Sequence, residues 1–270
     1  MEQYNLTTDL GVIAVTGPDA AKFLQGQLTN DINALDTQPF QLSAHLNNKG
    51  RMLASLIITR VAPDTYHLIT ANEIINTLIP RLKMFVLRAK VNIVQYNCNI
   101  LLCDQQHASN NYAIQFTPQY VIAVAESITN TIDSNNMLWK NILINHGIPL
   151  IYKNTQEEFT PQHVNFDLLG GVNFKKGCYI GQEIVARTHY LGKVKRRMYR
   201  FVSDFLPALG HKIVSPKLDN QEVGVIVDFV KRDFNYLGLV SIQTDCIEEA
   251  FLDIKNDQQL RIQPIEYGST

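Results

Sequence analysis

The stretch FKKGCYIGQEIVART, residues 174–188, carries more chemistry than its length accounts for. Cys178 stands between Gly177 and Gly181, Lys175 and Lys176 lead in, and Gln182, Glu183 and Arg187 follow. Glycine lets the backbone take left-handed angles or approach another segment closely, so this pair predicts a tight loop that holds the thiol in one place. Adjacent ammonium groups favour a thiolate, and a helix starting near Gln182 adds its positive N-terminal end. The same residues also describe a small turn-filling cysteine between solvated lysines, and the local sequence leaves both readings open.

Downstream of the stretch the pattern changes. KRRMYRFV, HKIVS, EVGVIVDFV, LGLVSIQT, AFLDI and LRIQPIEY are six strand-like pieces with almost no helical stripe, which predicts a small all-β barrel or sandwich over residues 195–270. Upstream, residues 1–194 read as an α+β body of one unit or two interleaved subdomains. LGVIAVTG predicts a strand and turn, and the following AAKFLQGQLTNDI an amphipathic helix with Phe23, Leu24, Leu28 and Ile32 on one stripe. QLSAHL and RMLASLIITRV flank NNKG, whose Asn and Gly supply the positive φ angles of a tight hairpin. TYHLITA, VNIVQY, NILLC, YAIQF and YVIAVAE predict further strands. Helices are expected over 73–88, with Pro80 as a kink or late start, and over 135–145, closed by Gly147.

The bulk properties narrow the function classes. A chain of 270 residues with 46% apolar and 18% charged residues has the composition of a folded protein, long enough to bury a core. Its formal net charge of -1 offers no long-range attraction to nucleic acid or to an anionic membrane. No apolar run reaches the roughly 20 residues of a membrane helix, and the amino terminus lacks the pattern of a signal peptide. The four cysteines form no CxxC pair, and the seven histidines no HxH or HxxxH arrangement, so no metal site is expected and free thiols in a reducing, cytoplasmic setting are.

Trp139 is the single tryptophan and lies on a helical stripe with Ile142 and Leu143. It reads either as core or as a stacking platform for a flat heterocycle. The basic run Lys193, Lys195, Arg196, Arg197 and Arg200 reads as a solvated strand entry or a docking patch.

KKGCYIGQE resembles the signature K-G-C-[FY]-x-G-Q-E of the YgfZ family, a folate-binding branch related to the glycine-cleavage T-protein, an aminomethyltransferase. The similarity extends through VTGPDAAKFLQGQLTNDI, SAHLNNKGRMLASL, GIPLI and EFTPQHVNFDLLGGVNFKKGC, covering most of residues 10–200 in order. The resemblance implies a T-protein-like folate-binding body around a central cavity, with a C-terminal antiparallel β-barrel. It implies a cytoplasmic protein that binds tetrahydrofolate or a derivative and supports the assembly or repair of iron–sulfur client enzymes and, through them, tRNA modification. Neither nucleic acid nor membrane is expected as a direct partner. On the same basis Trp139, Leu10, Asn145, Tyr179 and Gln182 are the candidate folate residues. Cys178 is the candidate reactive thiol, with Lys176 beside it and Glu183 and Arg187 in support.

Two departures from the relatives bear on this. T-proteins carry paired aspartates in a G-x-x-x-D-D-L segment, where GRMLASL here has Ala54 and Ser55; without a carboxylate there, aminomethyl transfer has no candidate acid or base. Where relatives read I-E-A-G with a glutamate for the pterin, this chain has Asn145, and Leu10 stands where some place a second tryptophan. An amide offers one acceptor oxygen and no charge, so it grips the pterin's paired N–H groups less well. The alternative function is a folate-dependent one-carbon transferase using Cys178.

Overall fold

The computed structural model describes residues 3–104, 113–126, 132–133, 137–253 and 257–267. The two leading strands, β1 (Gln3–Asn5) and β2 (Leu10–Thr16), enter different sheets. Helix α1 spans Ala20–Gln27, shorter than the stripe predicts. Leu28 turns extended because the chain is captured by the next strand: Leu28 bridges His45, and the Thr29 hydroxyl accepts the Ala44 N–H at 2.8 Å. Phe23, Leu24, Leu28 and Ile32 are nonetheless all buried.

Strands β3 (Gln41–Leu46) and β4 (Met52–Ala62) form the expected hairpin. Of the turn residues only Gly50, at φ +69°, takes a positive angle; Asn47 instead accepts the N–H groups of Lys49 and Arg51 on its side-chain oxygen. With β5 (Thr65–Ala71), helix α2 (Ile75–Lys83, Pro80 inside it) and β6 (Asn92–Tyr96), these make a sheet ordered β3-β4-β5-β2-β6. The next strands, β7 (Asn99–Asp104), β8 (Ala113–Gln115), β9 (Tyr120–Ala125) and β10 (Ile132–Asp133), build a second sheet with β1, ordered β10-β1-β7-β9-β8. Helix α3 (Met137–Asn145) packs into the core shared by both sheets, and the turn after it carries Gly147 at φ +62°.

Helix α4 (Gln182–Tyr190) begins where the signature loop ends. After it come β11 (Arg196–Ser203), β12 (Lys212–Ser215), β13 (Gln221–Arg232), β14 (Asn235–Gln243), β15 (Phe251–Asp253), β16 (Gln258–Gln259) and β17 (Arg261–Gln263). They form a nearly closed antiparallel barrel-like sheet ordered β16-β15-β12-β13-β14-β11-β17. A junction core joins it to the preceding elements: Leu46 and Met52 from the first hairpin, Ile144 from α3, Phe166, Tyr179 and Val185 pack with Met198, Val227 and Leu239.

Candidate functional site

The signature loop is fastened at both ends. On its entry side the Asn173 side-chain oxygen accepts the N–H groups of Lys175 and Lys176 at 2.8 and 3.0 Å, while Asn173 N–H donates to the Thr29 carbonyl. The Thr29 hydroxyl in turn donates to the Gly171 carbonyl at 2.7 Å. On its exit side Gly181 takes φ +80°, and a Cβ there would lie 2.5 Å from the Asn47 carbonyl and 3.0 Å from Gly50 Cα. The loop's second glycine is therefore required by contact with the first hairpin's turn. Gly177 has open space around its Cα and no positive φ, so it is not a conformational requirement as the sequence suggests.

Lys176 and Tyr179 are 8% exposed each, whereas Cys178 between them is exposed. The Lys176 ammonium donates to the carbonyls of Gln25, Leu28 and Asn30 at 2.8, 2.6 and 2.7 Å, and it lies 5.3 Å from the centre of the Tyr179 ring. Its three N–H donors are thus spent on the end of α1 and the turn after it. That position differs from the expectation of a cation serving the thiol. Burial pushes the Lys176 pKa down to about 8, with Asp31 opposing, and pushes the Tyr179 phenol up to about 12. Glu183 and Arg187 are exposed on α4 and make no ion pair among the described residues. Gln182 is half-buried at the helix start, its N–H on the Tyr179 carbonyl.

Trp139 and Leu10 both line one apolar cavity between the first sheet and α3. Phe116 lies 5.3 Å from Trp139 between ring centres, and Leu143, Leu150 and Phe166 complete much of the wall. Trp139 is 1% exposed, and its buried indole N–H has no hydrogen-bond partner among the described residues. Ser55 also lines the cavity, with its hydroxyl accepting the Ile151 N–H at 3.0 Å, and Ala54 is fully buried beside it. Asn145, Tyr179, Gln182 and Cys178 do not line this cavity, and Asn145 is exposed.

The fit to a pterin is incomplete. An aromatic wall and an unpartnered indole N–H suit a flat heterocycle carrying an acceptor. Among the described residues no carboxylate lines the cavity, however, and its volume is about 20 Å³, the space of a water molecule. A folate enters only if the walls move apart.

A charged network that the sequence reading passes over anchors α3. Asp228, 1% exposed on β13, accepts from Lys140 at 3.0 Å, from the Tyr152 hydroxyl at 2.9 Å and from the Phe229 N–H at 2.7 Å. Burial raises its pKa against the pull of Lys140. The signal was an aspartate in the apolar run GVIVDFV, because a buried carboxylate has to find partners. Lys140 follows Trp139, so this network ties the cavity's helix to the barrel. Among the described residues no group of three or more His, Cys, Asp or Glu is arranged to hold a metal ion, and no helix is long and apolar enough to cross a membrane.

Comparison with known proteins agrees with the fold. Residues 7–101 match the GCVT N-terminal domain family. The tRNA-modifying protein YgfZ of Photorhabdus laumondii is 29% identical, over 96% of this chain and 91% of its own. That of Blochmanniella pennsylvanica is 28% identical over 92% and 88%. An uncharacterized protein of Haemophilus influenzae is 31% identical over 74% of each chain. The crystal structure of the glycine cleavage system aminomethyltransferase T from Bartonella henselae superposes with a TM-score of 0.65 at 14% identity, covering 90% of this chain and 78% of that one.

Proposed function

The chain belongs to the YgfZ family, with a fold like that of the glycine-cleavage T-protein, and from that premise we propose that it is a tetrahydrofolate-binding accessory protein for iron–sulfur enzymes. Through those enzymes it supports tRNA modification. The observation that carries this reading is the presentation of Cys178: an exposed thiol on a loop whose flanking Lys176 and Tyr179 are buried and hydrogen-bonded or packed. A thiol held outward on a fixed loop suits contact with a client protein. One cysteine does not make a stable cluster site, which takes about four ligands, so the thiol acts transiently, by redox exchange or brief ligation.

Aminomethyl transfer does not suit these residues. The segment that holds the acidic pair in T-proteins is here a buried strand in which Ser55 satisfies a backbone N–H and Ala54 packs in the core. The alternative of a one-carbon transferase using Cys178 requires the donor carbon to reach a thiol that does not line the cavity. Within the folate part of the proposal the cavity walls part, and Trp139 would then offer the stacking face and the indole donor.

The test is complementation in cells lacking the resident relative, reading iron–sulfur enzyme activity and tRNA modification. Wild type should restore both and Cys178→Ser neither. Full restoration by Cys178→Ser would take the thiol out of the function. Separately, tetrahydrofolate should quench the emission of Trp139, the sole tryptophan; unchanged emission together with no heat of binding would remove the folate part alone.

A further inference from the structure

A second depression takes in the entry of the signature loop and the end of α4. It is an open crevice of about 510 Å³ lined by Asn30, Gly170, Val172, Asn173, Phe174, Lys175, His189 and Tyr190. That volume falls in the ~300–1,000 Å³ range of small-molecule sites. Its rings are already ordered: Phe174 and His189 stack at 3.7 Å with 12° between planes, and Tyr190 stands edge-on to His189 at 4.7 Å and 80°. Tyr190 is 64% exposed and stands nearly perpendicular to both ring neighbours, so much of its phenol ring surface is open to solvent.

Some polar groups around these rings are spent: the Asn30 amide donates to the Leu42 and Gly170 carbonyls, and the Tyr190 hydroxyl to the Phe174 carbonyl at 3.5 Å. The Asn173 oxygen is occupied by two backbone N–H groups, which leaves its NH₂ as the free end of the amide. The exposed Lys175 ammonium forms no ion pair among the described residues, and it is the single charged group in the lining. Among the described residues no carboxylate lines the crevice. Just beyond α4 the exposed Lys193 and Lys195 continue the positive charge.

We propose that this crevice binds a nucleotide, its base stacked on Tyr190 and its phosphate held by Lys175 and the Asn173 amide. An open aromatic face accepts any base, and a lysine with an amide donor beside it suits a phosphate. The net charge of -1 removes long-range attraction but not a local site, and the packing of α4 on the loop brings Phe174 to the consecutive His189 and Tyr190. The site is independent of the folate reading, because it shares no lining residue with the apolar cavity.

The experiment uses the full chain with two probes, AMP and a short fluorescein-labelled oligoadenylate, read by calorimetry and fluorescence anisotropy. Tighter binding of the oligonucleotide than of AMP marks an RNA strand as the source, and equal binding marks a free nucleotide. Tyr190→Ala should weaken the bound probe about five-fold or more, the lower part of what one stacked base contributes. Lys175→Gln should flatten the dependence of log affinity on log salt by about 0.7 for the strand. Both side chains are exposed, and unchanged thermal unfolding should show that the variants fold. Binding of neither probe, a wild-type affinity in Tyr190→Ala, an unaltered salt slope in Lys175→Gln, or equal affinity for a duplex overturns the proposal.

Discussion

The ammonium of Lys176 reaches the carbonyl of Leu28 at 2.6 Å, 148 residues away in sequence. With the Gln25 and Asn30 carbonyls it forms a three-point clamp between the signature loop and the end of α1. Carbonyls at a helix end carry partial negative charge and want a cation.

Lys176→Met should therefore strand buried acceptors and lower the unfolding free energy by about 2–4 kcal/mol, since a charged group's hydrogen bonds and the groups left unpaired both count. Denaturant titration of wild type and variant checks this, and a loss below about 0.5 kcal/mol would mean that the clamp is not formed.

The two glycines of the loop should behave oppositely. Gly181→Ala has to place a Cβ 2.5 Å from the Asn47 carbonyl at φ +80°, a strain of about 1–3 kcal/mol before any contact is counted. Gly177→Ala meets nothing within 4 Å and should change stability by no more than about 0.5 kcal/mol. Melting curves of the two variants side by side decide it.

Thiol reactivity should rank by access. Cys178 is exposed, Cys98 is half-buried with its pKa pushed up to about 11, and Cys103 and Cys246 are buried. Iodoacetamide on the native protein should label Cys178 first, with Cys103 and Cys246 labelled only after unfolding. Mass spectrometry of a time course reads the order.

Ser55→Asp, which restores one carboxylate of the T-protein pair, should not create aminomethyl transfer. Ser55 is 5% exposed and its hydroxyl satisfies Ile151, so an aspartate there buries a charge and lowers stability by about 2–4 kcal/mol. A stable, active Ser55→Asp protein would refute this account of the strand.

Acid should destabilise the fold through His45. It is fully buried, its Nδ1–H donates to the Gln27 carbonyl, and burial lowers its pKa from 6.5 to about 4. The folded state thus holds it neutral while the unfolded chain takes a proton below pH 6.5. The unfolded state binds more protons between about 4 and 6.5, so stability is complete above that window and declines as pH falls through it. The contribution is on the order of 3 kcal/mol. His45→Gln should lose part of this slope in unfolding experiments over that range, and an identical slope would assign it elsewhere.

Much of this protein was legible along the chain. Apolar periodicity located the strands and helices because burial on one face leaves a period of two or near 3.6 whatever the topology. The motif KKGCYIGQE, with its flanking segments, identified the family and the T-protein-like fold. What periodicity does not encode is which distant groups meet. The early end of α1 was set by β3 taking Leu28 and Thr29, the direction of Lys176 by three carbonyls at residues 25–30, and the need for glycine at 181 by the turn at 47–50. Asn145, aligned by sequence with a pterin-binding glutamate, turned out to be exposed on the last turn of α3, while Trp139 on the same helix went inside. The gathering of Phe174, His189 and Tyr190 is likewise a product of helix and loop packing. Hydrogen bonds and ring contacts are short-ranged in space but unlimited in sequence separation, so the chain determined which residues were available and the tertiary structure decided which of them became partners.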